Sequence, residues 1–126
     1  VVKILVIEDN RDNLDLVVFL LQRAGHEVLS ASDGSRGLQA VAEHMPDLVL
    51  LDMALPEIDG WTAAEKLKED PKTKNIPIVA LTAHTLPGDR KRAINAGCDG
   101  YIAKPINVAT FTDEVAEFIN PAGENV

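Results

Sequence analysis

Residues 48–60 read LVLLDMALPEIDG: four apolar residues, then a carboxylate, Asp52, then a segment rich in turn formers. The run Leu48–Leu51 reads as a buried strand of the kind parallel sheets use. Buried strands more often end in Gly, Ser or Asn, where the chain turns. A desolvated, unpaired carboxylate at that place is costly. Asp52 therefore either stands in open solvent or has neighbours that make its charge useful.

The same pattern recurs on both sides. Short apolar runs at Ile4–Ile7, Glu27–Ala31, Ile78–Leu81 and Tyr101–Ala103 alternate with segments of helical period. Asn10 or Asp12 can cap a first helix with Leu14, Val17, Val18 and Leu21 on one face, closed by Gly25. A second helix is predicted over 35–44 and a third from Asp59-Gly60 through Ala64 and Leu67. A polar helix follows over 88–95, ending at Gly97. Asn107 can cap a last one with Val108, Phe111, Val115 and Phe118 on one face. Five strands alternating with five helices predict an α/β fold, a doubly wound parallel sheet covered on both faces. Right-handed crossovers with helices on both sides require a reversal of strand order, and the flavodoxin-like order 2-1-3-4-5 fits.

Composition narrows the function. The 126 residues suit one domain with a full core. No apolar run approaches the roughly 18 residues of a spanning helix, and VVKILVIEDN does not read as a signal peptide. The single cysteine, Cys98, agrees with a reducing compartment, so a cytoplasmic location is expected. A formal charge of −8 argues against direct binding of nucleic acid or insertion in an anionic membrane, while leaving room for a local basic patch, with Arg90-Lys91-Arg92 as one candidate.

In a parallel sheet the C-terminal strand ends share one edge, where ligands bind. Here that edge receives Glu8 and Asp9 from the first strand, Asp52 from the third, Thr82 from the fourth and Lys104-Pro105 from the fifth. Clustered carboxylates call for a hard cation, Mg²⁺ with Mn²⁺ as the alternative. Asp9 and Asp52 suit such an ion with room left for phosphate oxygens. Thr82 can hydrogen-bond to an incoming phosphoryl group, and Lys104 can offset its charge. Asp52 is then a candidate nucleophile that forms an aspartyl phosphate.

The segments EDN at 8–10, LVLLDMALPEIDGW at 48–61, IVALTAH at 78–84 and AGCDGYIAKP at 96–105 together resemble the receiver domain of bacterial two-component response regulators. The resemblance runs from Lys3 to about Ile119 and implies a receiver domain over 1–120, with 121–126 a tail or the start of a linker. It implies that Asp52 accepts phosphate from a histidine kinase or a histidine phosphotransfer protein. Asp9 would bind Mg²⁺ directly, Glu8 mostly through water and Ala54 through its backbone carbonyl. Thr82 and Lys104 would contact the phosphoryl group, Lys104–Pro105 would be a cis peptide bond, and Tyr101 would reorient with Thr82 on activation. The implied role is a phosphorelay switch rather than an enzyme, limited to self-catalysed phosphorylation and dephosphorylation. Its downstream protein partner would be met through the fourth helix, fifth strand and fifth helix, with room for a phosphorylation-dependent dimer. Leu55 replaces the usual Met before Pro56, and Glu8 a frequent Asp. Ala54 and His84 occupy variable positions that govern the access of water to the phosphoryl group.

Each residue also has a plainer reading. Asp9 could cap a helix, Thr82 could merely end a strand and Lys104 could be a solvated lysine. Asp47, Asp33-Gly34, Asp59-Gly60 and Asp99-Gly100 read as turn chemistry, Met45 and Met53 as packing or loop residues, and Cys98 as a small buried residue. His26 and His44 lack partners at ligand spacing, and Trp61 suits either a partner-facing or a packing role. Among other functions, an aspartyl-phosphate phosphohydrolase would place a second acid where Ala54 stands and would need a cap domain. A flavodoxin-like cofactor binder would need a Ser/Thr/Gly-rich loop where EDNRDN stands. A receiver-like domain that never uses phosphate is disfavoured by the full residue set. A stand-alone regulator and a receiver excised from a hybrid histidine kinase both fit the sequence.

Overall fold

The computed structural model describes residues 2–55, 57–82 and 87–119. Five strands alternate with five helices: β1 (Lys3–Ile7), α1 (Arg11–Arg23), β2 (Glu27–Ala31), α2 (Gly34–His44), β3 (Leu48–Asp52), α3 (Gly60–Glu69), β4 (Ile78–Thr82), α4 (Pro87–Asn95), β5 (Gly100–Ala103) and α5 (Phe111–Ile119). The strands form one parallel sheet in the order β2-β1-β3-β4-β5, as the alternation predicts. His84 and residues 121–126 lie outside the described residues.

The central strand β3 and its neighbour β4 are buried at every position, and each runs through four apolar residues before ending in a buried polar one, Asp52 or Thr82. Alternate side chains point to opposite faces and divide the core in two. Leu5, Ile7, Val49, Leu51, Ile78 and Ala80 meet α2, α3 and α4 through Val41, Ala63, Ala64, Leu67 and Ala93. Ile4, Val6, Leu48, Leu50, Val79 and Leu81 meet α1 and α5 through Val17, Leu20, Leu21, Phe111 and Val115. Truncating the fully buried Phe111 to Ala removes about 3–5 kcal/mol by the usual cost of such cavities.

Helix starts follow side-chain capping. Asn10 caps α1 by accepting from Asn13 N–H at 3.0 Å, so Asp12 is the first-turn acid rather than the cap. Asp33 accepts from Arg36 N–H and Asp59 from Thr62 N–H, each at 2.8 Å. Asp33 is therefore a helix cap, not only a turn residue. The last helix departs from expectation. Asn107 heads a turn over 108–110, accepting from Ala109 N–H with its side chain and from Phe111 N–H with its carbonyl. The α-helix proper begins at Phe111, and Val108 stays outside it, 56% exposed. A carbonyl satisfied by a tight turn delays the helix by one turn and takes Val108 off the buried face.

The edge opposite the strand C-termini is tied by long-range polar contacts. Lys3 N–H donates to the Asp47 carboxylate at 2.8 Å, and Asp47 N–H donates to Lys3 C=O at 2.7 Å. Lys68 Nζ donates to the carbonyls of Lys74 and Ile76 at 3.1 and 3.0 Å and to Asp99 Oδ2 at 3.0 Å. The same Asp99 oxygen accepts Ile78 N–H at 2.8 Å, so Asp99 joins α3 to the start of β4 as well as turning the chain into β5.

Candidate functional site

Strand register carries the site residues to one edge. Ile7 pairs with Leu51, Asp52 with Leu81, and Thr82 with Ala103. Glu8 follows β1 directly and is held by its own N–H to Ala31 C=O at 3.0 Å. Lys104 follows β5, and its N–H donates to Thr82 C=O at 2.8 Å. The next peptide bond, Lys104–Pro105, is cis.

Four of the residues named from sequence lie in one charged cluster. Ligand oxygens of Glu8, Asp9 and Asp52 all lie within 4.8 Å of one another. Lys104 Nζ is 2.8 Å from Glu8 Oε1 and 3.3 Å from Asp52 Oδ1. Glu8 and Asp52 are buried, Asp9 is exposed, and Thr82 is buried at the end of β4 beside them in the register. Tyr101, one strand further along, is half-buried against the core on the side of α2, α3 and α4. Ala54 closes the loop after β3 by donating its N–H to Asp52 Oδ1 at 3.1 Å, and Asn10 N–H donates to Glu8 Oε2 at 3.3 Å.

The electrostatics follow from this crowding. Burial, then the Asp52 carboxyl against it, pushes the Glu8 carboxyl up to about 7, and the Lys104 ammonium pulls only partly the other way. Burial also works to raise Asp52. It is overcome by hydrogen bonding with Glu8, the Ala54 N–H and the charge of Lys104, so Asp52 stays below its ordinary value and ionised. Burial works to lower Lys104, and the two carboxylates reverse it, so the ammonium is held charged.

The donor set fits a hard divalent ion. Glu8 Oε1, buried and close to the ammonium, has no aligned hydrogen-bond donor among the described residues. Three carboxylates converge and one ammonium pairs with two of them, Glu8 and Asp52, leaving negative charge that a cation would offset. All the donors are oxygens, which favours magnesium or manganese over zinc.

The strand order implies the Glu8–Lys104 approach, across 96 positions of the chain, whereas two other contacts were not legible from the sequence. Lys68 gathers Asp99 and two carbonyls. The Arg92 guanidinium lies 4.5 Å over the Trp61 ring, where Trp61 also packs against the core. Neither has a local spacing signal, since each partner sits on a different element.

Comparison with known proteins agrees with this geometry. The chain is 35% identical over 119 residues to the polar-differentiation response regulator DivK of Brucella anthropi, covering 94% of this chain and 97% of the relative. Vibrio cholerae chemotaxis protein CheY4 superposes with a TM-score of 0.87 at 27% identity, over 92% of this chain and 97% of that one. The receiver domain of a sensor histidine kinase from Pseudomonas aeruginosa, solved with magnesium in its active-site cleft, gives a TM-score of 0.85 at 31% identity, over 94% and 97%. Residues 4–116 match the response regulator receiver domain, and with the strand order and acidic edge described above the chain belongs to that family of two-component signalling proteins.

Proposed function

We propose that this receiver is a phosphoacceptor switch in which Asp52 takes a phosphoryl group from a phosphohistidine on a histidine kinase or a histidine phosphotransfer protein. The observation that carries the reading is a buried, ionised carboxylate ending a central strand, with an ammonium 3.3 Å away and two further carboxylates in reach. An Asp52 oxygen attacks phosphorus in line, the P–N bond breaks, and the imidazole leaves with the bonding pair. Lys104 balances charge on the transferring group, and Thr82 donates a hydroxyl hydrogen bond to a phosphoryl oxygen. Asp9 and Asp52 would hold Mg²⁺ with the Ala54 carbonyl, and Glu8 through water; the bound ion supplies positive charge opposite the phosphoryl oxygens. Magnesium in the cleft of the Pseudomonas aeruginosa relative supports that assignment.

The output surface in this reading is α4, β5 and α5. Drawing Thr82 toward the phosphoryl group vacates space for Tyr101 and biases α4 and β5 between two arrangements. A downstream protein, or a second copy of the phosphorylated chain, would read the difference. The chain's net charge of −8 disfavours direct binding to nucleic acid, and no described helix is long and apolar enough to cross a membrane. A cytoplasmic site of action fits a kinase-supplied phosphoryl group.

Incubation with acetyl phosphate should raise the intact mass by one phosphoryl group with Mg²⁺ and not with a chelator. Asp52→Asn should abolish the gain. An unchanged yield in Asp52→Asn would sink the assignment.

A further inference from the structure

Helix α4 is held down weakly. Its buried side chain among the described residues is Ala93, which contributes one methyl, and Ile94 is 58% exposed. Between α3 and α4 runs an open groove of about 240 Å³ lined by Asp59, Trp61, Glu65, Arg92 and Asn95. Among the described residues one specific contact crosses it: the exposed Arg92 guanidinium over the half-buried Trp61 ring at 4.5 Å. No carboxylate among the described residues forms an ion pair with Arg92, so the ring face is its anchor.

Trp61 is fixed relative to the acceptor by backbone. Gly60 N–H donates to Met53 C=O at 3.2 Å, and Met53 N–H to Leu81 C=O at 3.2 Å. A Cβ on Gly60 would lie 2.5 Å from Met53 Cα and 2.6 Å from the Asp52 carbonyl oxygen. The first turn of α3 thus rests on the backbone of the acceptor and its neighbour, and Trp61 is the next residue along. A displacement at Asp52 is delivered to the Trp61 ring with little slack.

We propose that the Trp61–Arg92 stack is a latch that holds α4 against α3 in the unphosphorylated protein, and that phosphoryl transfer to Asp52 releases it through Met53 and Gly60. This route is separate from Thr82 and Tyr101, and it rests on Asp52 being the acceptor. Trp61 and Arg92 are positioning residues: neither touches the phosphoryl group. An exposed cation–π contact of ordinary strength shifts an opening equilibrium about two- to fivefold, enough to set the population of a helix with so few buried contacts.

Amide exchange on the whole chain tests this. In unphosphorylated protein, Arg92→Gln should speed exchange over residues 91–95 about two- to fivefold and move Trp61 emission to longer wavelength, while Arg92→Lys, which keeps the cation, should restore much of both. In a Thr82→Ala background, where the Thr82–Tyr101 route is cut, beryllofluoride with Mg²⁺ should bring exchange at 91–95 toward the Arg92→Gln level and add little once Arg92→Gln is combined with it. Unchanged exchange in Arg92→Gln, or Arg92→Lys behaving like Arg92→Gln, overturns the latch. A latch present in the basal state but unaltered by beryllofluoride in the Thr82→Ala background overturns its coupling to Asp52. Absence of phosphoryl uptake by the wild-type chain, read by intact mass, defeats the acceptor assignment instead, and the basal exchange comparison still judges the stack.

Discussion

Replacing Gly60 by Ala tests how tightly the first turn of α3 is seated on Asp52, the proposed acceptor. The added Cβ would stand 2.5 Å from Met53 Cα, 2.6 Å from the Asp52 carbonyl oxygen and 2.7 Å from Met53 Sδ, where ordinary contact is 3.4–4 Å. The sulfur can swing aside. The two backbone atoms cannot, because Met53 is bonded on one side to Leu81 and on the other to Gly60 itself. Either the helix or the loop must move by about 1 Å, and overpacking of that kind costs about 1–3 kcal/mol. Stretching the Gly60–Met53 hydrogen bond adds about 1 kcal/mol, and the better helix propensity of Ala returns up to about 1 kcal/mol. The net is a loss of about 1–3 kcal/mol, or roughly 4–12 °C in thermal midpoint for a domain of this size. A 1 Å displacement of the nucleophile should also slow phosphorylation of Asp52 by about 10²-fold. Urea unfolding and timed mass spectra with acetyl phosphate measure the two effects. Gly25→Ala is the matched control: its φ of +95° strains any side chain, yet nothing lies within 4 Å of the new Cβ. It should lose about 1 kcal/mol and leave phosphorylation unchanged. A Gly60→Ala protein as stable and as readily phosphorylated as the parent would refute the close-seating argument.

Glu8, pushed up to about 7 by burial and then by Asp52, lends stability that is fully present below its unfolded value of 4.5 and is lost as pH rises through about 7. With divalent ions chelated, the thermal midpoint should therefore fall more steeply between about pH 5 and pH 8 in the parent than in Glu8→Gln, and equal slopes would count against the crowded-carboxylate account. Lys68→Met should destabilise the chain by about 1–2 kcal/mol in urea, because it removes hydrogen bonds to two carbonyls and to an Asp99 carboxylate that water and Ile78 N–H still solvate, while phosphorylation proceeds at the parental rate; a change in that rate alone would contradict the separation of the two edges. The Cys98 thiol, pushed up to about 12 by burial and then by Asp99, should resist iodoacetamide at about pH 8 until urea unfolds the chain, and rapid labelling of native protein would show that it is accessible.

The sheet was legible because the first four positions of β3 and β4 are all buried and all apolar, a requirement that prints itself directly on the sequence. The site was legible for a related reason: polar residues at the ends of such runs cannot scatter, since parallel strands deliver all their C-terminal ends to one edge. Glu8, Asp9, Asp52 and Lys104 were brought together by topology alone. Contacts fixed by helix rotation were less visible. Val108 carries the right spacing for the last helix, but the Asn107 turn shifts the helix start beyond it. Asp33 and Asp99 look like turn residues because capping and long-range bridging use the same short carboxylate as a turn does.

The sheet order also governs how the chain can fold while it is being made. The face of Ile4, Val6, Leu48 and Leu50 is roofed by α1 and α5, and α5 is the last of the described elements in chain order. A nascent chain that has emerged through β4 therefore has its central strands paired but half of that face bare, awaiting Phe111 and Val115. At an elongation rate of about 5–20 residues per second, the roughly thirty residues from the end of β4 to Val115 occupy a few seconds. During that interval the bare face is a substrate for chaperones or for other nascent chains. Seating α5 seals the face, so an element proposed for output is also the one that closes this side of the core.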